Sequence, residues 1–118
     1  MAKKEPYNGW EGGYETWLCS LWLDNDQGLY NYWRERTREV CDTAEAEYEF
    51  LTDKQQAVSD LAEELKDWVE DNSPLADTAN LYADLLSGAI SEINFHEIAE
   101  HWVDDQWEGP GNREADDA

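Results

Sequence analysis

Apolar side chains recur three or four residues apart through most of the chain, and this spacing limits the fold more than any other feature. In the middle of the chain, for example, Leu61, Leu65 and Trp68 fall on one side of a helix with 3.6 residues per turn. No segment shows the alternation of apolar and polar residues that is typical of a half-buried strand. The sequence therefore predicts an all-α fold, a single compact bundle of about five helices.

Polar and helix-breaking residues mark where one predicted helix ends and the next begins. The segment Asp24–Asp26 ends a first helix that starts at Tyr14, and it caps a second helix that runs to about Leu51 with a break near Asp42. Capping boxes open the third and fifth helices, and Pro74 separates the third from the fourth. The limits are Thr52 with Gln55 for a helix to about Glu70, Leu75 to Ile90 for the fourth helix, and Asn94 with Glu97 for the fifth.

The apolar side of each predicted helix supplies the expected core, which seven Trp and six Tyr make rich in aromatic rings. The sequence predicts three parts: an irregular N-terminal arm at residues 1–13, the helical domain at 14–107 and a disordered acidic tail at 108–118. The positions predicted to face inward are Tyr14, Trp17, Leu18, Leu21 and Trp22; Leu29, Tyr30, Trp33, Val40, Ala44, Tyr48 and Leu51; Ala57, Val58, Leu61, Leu65, Trp68 and Val69; Leu75, Ala79, Tyr82, Leu85, Leu86 and Ile90; and Phe95, Ile98, Ala99, Trp102 and Val103.

The chain is strongly acidic: 29 Asp and Glu against eight Lys and Arg give a formal net charge of -21. Such a charge repels nucleic acid and anionic membranes, so neither is predicted as a direct partner, and a basic protein surface is favoured instead. No stretch approaches the roughly 18 apolar residues of a membrane helix, and the segment Met1–Pro6 lacks the apolar run of a signal peptide. These features predict a protein of the cytoplasm.

The residues that come nearest to a metal site are His96 and His101. Zinc proteases place two His four residues apart on one helix face, whereas these two are five apart and differ by about 140° around the axis. They are therefore not predicted to share a metal ion, and the sequence contains no nucleophile elbow, phosphate-binding loop or dinucleotide-binding glycine pattern. Cys19 and Cys41 are predicted to be small buried side chains. The sequence predicts no cofactor and no catalytic residue, and an enzyme stands third among the functional classes.

Acidic residues are densest between Asp42 and Asp77, where twelve carboxylates accompany only Lys54 and Lys66. On a helical wheel the carboxylates of the third helix lie opposite its apolar side, and those four residues apart are separated by about 6 Å along the axis. That interval is of the order of the phosphate spacing in DNA, which predicts a nucleic-acid mimic that occupies a basic channel. The predicted partner-binding residues are Glu45, Glu49, Asp60, Glu63, Glu64, Asp67, Glu70 and Asp71.

A second interpretation explains the same charge by a salty environment. A carboxylate-rich surface stays hydrated in concentrated salt, where its self-repulsion is screened within about 3 Å. The chain would then be a helical interaction protein that binds its partner through apolar and aromatic surface, with Trp10 or Trp107 as anchors. Salt separates the two interpretations, because ionic binding weakens with added salt and apolar binding does not.

The opening of the chain carries a recognisable pattern in Tyr7–Trp10, Gly13–Trp17 and Leu21–Leu29. It resembles small uncharacterised proteins of phages, archaeal viruses and plasmids that share the form NG-(W/Y)-x-NYETW-x-x-x-LW-x-x-NDxG. The resemblance implies an origin in a mobile element, and small acidic proteins of such elements are similar in kind to anti-restriction and anti-CRISPR proteins that imitate DNA. Gly13 departs from the Asn of the pattern, which would cap the first helix. Later segments that also look like this group are Leu61–Trp68, Leu81–Leu86 and Ile93–Glu100.

Overall fold

The computed structural model describes residues 5–75 and 77–107, most of which lie in five helices. Within these ranges there is no strand, only an isolated bridge between Tyr7 and Trp10. The predicted all-α fold of about five helices is confirmed, whereas the predicted tail at 108–118 lies outside the described residues. In chain order the helices are α1 (Tyr14–Asn25), α2 (Gln27–Asp42), α3 (Asp53–Asp71), α4 (Leu81–Ser91) and α5 (Phe95–Gln106).

The core is centred on α3 and α5, which pack along each other, with α2 in contact with both and α1 in contact with α2 and α5. Ala57 and Ala99 are completely buried, and their small side chains allow the backbones of α3 and α5 to approach closely. From α2, Trp33 lies edge-on against Trp68 with ring centroids 5.8 Å apart. The inward sides predicted for α3 and α5 are confirmed by the burial of Val58, Leu61, Leu65, Phe95, Ile98, Trp102 and Val103.

The buried side of α1 differs from the predicted one. Thr16, Ser20 and Leu23 are buried, whereas Leu21 is 39% exposed and Trp22 63% exposed, so the prediction that the last two face inward is wrong. The hydroxyl of Thr16 accepts a hydrogen bond of 2.8 Å from the backbone N–H of Asn94, which removes the penalty for burying it. A buried polar side chain that is hydrogen-bonded in this way does not show in an apolar period.

The second helix is shorter than predicted and ends at Asp42. Thr43 closes it, because its backbone N–H and its hydroxyl both donate to the carbonyl of Glu39. The chain then turns through residues 43–52, where Tyr48 is 56% exposed and stacks on the exposed ring of Phe50. The end of α2 coincides with the predicted break near Asp42, but the predicted continuation of the helix to Leu51 with Tyr48 inward is wrong.

The fourth helix begins later than predicted, at Leu81 instead of Leu75. The side chain of Asn80 caps it by accepting a hydrogen bond of 2.8 Å from the backbone N–H of Ala83. Tyr82 and Leu85 were predicted to face inward, but they are 69% and 62% exposed. The buried residue of α4 is Ala83, so this helix lies at the edge of the bundle.

The two predicted capping boxes have different outcomes. Thr52 and Gln55 form both hydrogen bonds of the box that opens α3, as predicted. At α5, Asn94 accepts from the backbone N–H of Glu97 at 3.0 Å, but the carboxylate of Glu97 does not return to Asn94. This second box is therefore only half formed, because Glu97 has other partners.

Those partners belong to the arm that precedes α1. The two oxygens of Glu97 accept hydrogen bonds of 2.8 Å each from the backbone N–H groups of Glu11 and Gly12. A Cβ on Gly12 would lie 2.3 Å from Oγ1 of Thr16, so glycine is required for this close approach. Gly13 has φ 85° and ψ -162°, a conformation almost restricted to glycine, which accounts for glycine at this position.

Replacing Glu97 with Ala is expected to release the arm. Two charge-assisted hydrogen bonds are lost, so we expect the free energy of unfolding to fall by about 2 kcal/mol and a protease to cut near Gly12 sooner. Urea unfolding and limited proteolysis measure both effects. Glu100→Ala, on the exposed side of the same helix, is the control; equal behaviour of the two variants would contradict the role of Glu97.

Candidate partner-binding surface

The side of α3 opposite the core carries a continuous set of exposed carboxylates. We call Asp60, Glu63, Asp67, Glu70 and Asp71 the α3 carboxylate row; all five are exposed. At 100° per residue they fall within an arc of about 100°, centred roughly opposite the buried side of the helix. At 1.5 Å per residue the row is about 16 Å long.

The carboxylates of the row form no ion pair within the part of the chain that the structure describes, and the single basic residue of α3 beside them is Lys66. Glu63, Asp67, Glu70 and Asp71 form no ion pair with any described residue, and Asp60 accepts a hydrogen bond of 2.9 Å from the side chain of Gln56. That hydrogen bond comes from a neutral amide, so it orients the Asp60 carboxylate and leaves its charge in place. The row is therefore a fixed line of net negative charge on a well-packed helix.

Glu64, which was predicted to belong to the same stripe, has a different environment. Its two oxygens accept from Nε and Nη2 of Arg36 at 3.0 and 2.8 Å, and Arg36 also pairs with Glu39. Hydrogen bonding to Glu64 raises the pKa of Arg36, which therefore stays charged. Glu64 thus joins α3 to α2, and its charge is already matched within the chain.

Glu45 and Glu49 lie outside any helix, in the connection between α2 and α3. Both are exposed, and the connection is held to the first turns of α3: Ala46 N–H donates to Asp53 and Glu47 N–H donates to the side chain of Gln56. They therefore extend the acidic surface beyond the N-terminal end of α3. Of the eight predicted residues, five form the row, two lie in this connection and Glu64 is paired.

The C-terminal ends of the helices show that the acidity there does not serve helix stability. None of the five described helices has a basic residue in its last turn, where a positive charge would be favourable. Instead α3 ends in Glu70 and Asp71, and α5 carries Asp104 and Asp105 next to its end. Each carboxylate at a helix C-terminus costs about 0.3–1 kcal/mol at low salt, so the folded chain carries considerable electrostatic repulsion.

Added salt is therefore expected to stabilise the protein. Raising NaCl from 0.1 to 1 M shortens the screening length from about 10 to 3 Å, and we expect Tm to rise by about 5–10 °C. Thermal unfolding followed by circular dichroism measures the shift, and a variant with Asp67→Asn, Glu70→Gln and Asp71→Asn should start higher and rise less. A Tm that falls with salt would contradict this account of the repulsion.

A small cleft lies between the arm, α1, α2 and α5, with a volume of about 210 Å³. Trp10 stacks on His101 at its edge, with ring centroids 4.1 Å apart. Burial raises the pKa of Asp24 in the same cleft, and the nearby His101 partly lowers it. The stacking of Trp10 on His101 thus holds the arm against the bundle at this cleft.

The Trp side chains expected as surface anchors are not the exposed ones. Trp10 and Trp107 are half-buried and pack against the core, whereas Trp22 projects from α1. The exposure of Trp22 could not be predicted from the spacing of the apolar residues, because Thr16 and Ser20 form part of the buried side of α1.

The described residues show no metal site and no membrane-spanning helix. They contain no group of three His, Cys, Asp or Glu side chains placed to hold a metal ion, and none of their helices is long and apolar enough to cross a membrane. Cys41 is buried and Cys19 is half-buried, both as free thiols. Burial raises the pKa of Cys19 to about 11, so its thiol stays protonated near neutral pH and is a poor nucleophile.

Comparison with known proteins places the chain in a family. Searches of curated proteins and of solved structures gave no match. The model of a family of unknown function, DUF7249, matches residues 3–105, which include most of the arm and all five helices except Gln106. The chain therefore belongs to the DUF7249 family.

Proposed function

We propose that the protein is a nucleic-acid mimic that occupies a basic DNA- or RNA-binding surface of another protein. The observation that supports this function is the α3 carboxylate row, whose exposed side chains form no ion pair with a described residue and stand on a helix anchored in the core. Glu45 and Glu49 extend the binding surface at one end of the row, and Glu64 acts indirectly by fixing α3 to Arg36 on α2.

The dimensions of the row suit such a role. One strand of B-DNA presents a phosphate about every 3.4 Å along the axis, so about five phosphates span the 16 Å over which the row places five carboxylates. The match in charge per length matters more than the match of individual positions, because Lys and Arg side chains that bind a phosphate backbone are long and adaptable.

The fixed spacing of the carboxylates in the row favours specific binding to a partner over non-specific electrostatic attraction. The carboxylates are carried by a helix whose other side is fully buried at Leu61 and Leu65, so their spacing is set before the partner arrives. A preorganised surface loses little conformational freedom on association, and basic residues of the partner release their counterions when they meet it. The partner is therefore a basic protein, and neither nucleic acid nor membrane is bound directly.

The resemblance to proteins of phages, archaeal viruses and plasmids suggests which basic proteins to test. An element that enters a cell meets restriction and CRISPR complexes, which must bind DNA or RNA through basic channels. We therefore propose inhibition of such a host-defence complex in the host-cell cytoplasm. The chain has no catalytic part in this function and acts only by occupying the channel.

The function is tested by DNA cleavage. Purified restriction enzymes and CRISPR effectors are mixed with the protein before labelled DNA is added, and the cleaved fraction is measured from 0.05 to 0.3 M NaCl. We expect inhibition of at least one enzyme, relieved by excess DNA and weakened steeply by salt. Inhibition that persists unchanged across the salt series, or that DNA cannot relieve, would contradict mimicry.

The exposure of Trp22 favours a second function, binding of a partner through apolar and aromatic surface. Trp22 is 63% exposed and lies next to Leu21, which is 39% exposed. In that case Trp22→Ala would abolish binding, neutralisation of the α3 carboxylate row would not, and affinity would hold or increase in molar salt. The same salt series therefore separates the two functions.

A further inference from the structure

The outer side of α4 exposes large apolar side chains. Leu81, Tyr82 and Leu85 are 65%, 69% and 62% exposed, although burial of apolar surface is favourable. The helix is attached to the bundle through its other side, where Ala83 is buried and Ile90 packs against the core. The three side chains follow one another along the helix, so they form one patch instead of scattered exposures.

The same helix is almost without charge. Across Leu81–Ser91 the single ionisable side chain with a formal charge is Asp84, in a chain whose net charge is -21. A basic partner would gain little at this surface, since there is little charge for it to bind. The outer side of α4 therefore suits an apolar, nearly neutral partner surface.

A glycine in the middle of α4 gives a second, independent observation. Gly88 is exposed, and a Cβ built on it meets no atom within 4 Å. Glycine in a helix interior is unfavourable relative to alanine, and nothing in the rest of the described chain requires it there. Close approach of a backbone or a bulky side chain from outside the chain would require it.

We propose that α4 packs antiparallel against α4 of a second copy of this chain, about a two-fold axis near Leu85. The large residues Leu81 and Tyr82 lie one turn before Leu85, and the small residues Gly88 and Ala89 lie one turn after it. An antiparallel arrangement places Leu81 and Tyr82 against the partner's Ala89 and Gly88, so that large side chains fill the space left by small ones. The helix dipoles also oppose each other in this arrangement.

Charge is the reason that a second copy fits this face. Two chains of -21 repel each other, and contact through any carboxylate-rich surface would bring like charges together. The outer side of α4 lets two copies meet with Asp84 as the one carboxylate within each α4, and with Glu92 at the C-cap, beyond the end of the contact. One helix of 11 residues from each copy makes a small interface, so we expect a weak dimer with a Kd of about 10–100 µM that tightens with salt.

The experiment is sedimentation equilibrium of the full chain from about 1 µM to 1 mM in 0.1 and 1 M NaCl. We expect the mass to rise from 13.7 kDa towards twice that value, at lower protein concentration in the higher salt. Leu85→Lys, which puts two positive charges at the axis, should raise Kd at least 100-fold with unchanged helicity. Leu21→Lys on α1 is the matched control and should leave Kd unchanged. A mass of 13.7 kDa at every concentration, or a dimer lost equally in both variants, would overturn the proposal.

Gly88→Ala tests whether this glycine serves packing between two copies. Both outcomes include a higher Tm of the monomer, and they differ in the Kd of the dimer. If Gly88 serves close packing between copies, alanine should raise Kd at least tenfold while it raises the Tm of the monomer, measured below the Kd, by about 3 °C. If Gly88 does not serve packing between the two copies, the variant gains the same Tm and the Kd of the dimer does not change. That second result would also overturn the proposal.

Discussion

Replacing Asp60, Glu63, Asp67 and Glu70 with Lys is expected to abolish inhibition of the target enzyme, raising the half-inhibitory concentration at least 100-fold. The reason is local: four favourable contacts with Lys and Arg of the target are lost, and four repulsive contacts replace them. A factor of 100 corresponds to about 2.8 kcal/mol, well below the combined cost of like charges held together at a basic surface. The four residues are exposed, so helicity should not change.

A matched variant separates position from total charge. Glu5, Glu35, Glu100 and Asp105 are also exposed and lie outside the α3 carboxylate row. Their replacement by Lys changes the net charge of the chain by the same amount, and we expect the half-inhibitory concentration to shift by less than tenfold. Equal loss in both variants would mean that inhibition depends on overall charge alone, and the row would then have no special role.

Truncation of Leu65 to Ala is expected to lower the free energy of unfolding by about 3–4 kcal/mol and Tm by more than 10 °C. Leu65 is completely buried on the side of α3 that packs against α5. Removing its side chain loses apolar burial and leaves a cavity that two tightly packed helices cannot easily fill. Urea unfolding, followed by the circular dichroism signal of the helices, measures the change.

Leu21→Ala is the control for this effect because it deletes the same atoms from a side chain that is 39% exposed. We expect a loss below about 1 kcal/mol there. If the two variants lost similar stability, the contact between α3 and α5 could not be the centre of the core.

The sequence predicts α3 and α5 well because their apolar residues are large, buried and regularly spaced. It fails at α1, where Thr16 and Ser20 occupy the buried side and no transfer scale marks them as inward. It fails at α4 for the opposite reason: Tyr82 and Leu85 have the period of a buried side and yet face solvent. A period reveals which residues share a side of a helix, but it does not reveal whether another element covers that side.

The acidic surface could be predicted in part. The positions of Asp60, Asp67 and Asp71 on one side of a helix follow from the 3.6-residue repeat alone. The pairing of Glu64 with Arg36 does not, because the partners lie 28 residues apart and meet only through the packing of α2 on α3. The exclusion of Glu45 and Glu49 from any helix depended on the position of Thr43, whose hydrogen bonds to Glu39 end α2.

The hydrogen bonds of Glu97 with Glu11 and Gly12 also constrain when the arm can fold during translation. These hydrogen bonds join residues 86 and 85 positions apart, so the opening segment cannot reach its final place while a ribosome is still translating the middle of the chain. At about 5–20 residues per second, Gly12 waits roughly 4–17 s for the codon of Glu97 to be read. The arm therefore takes its place only after α5 has been synthesised.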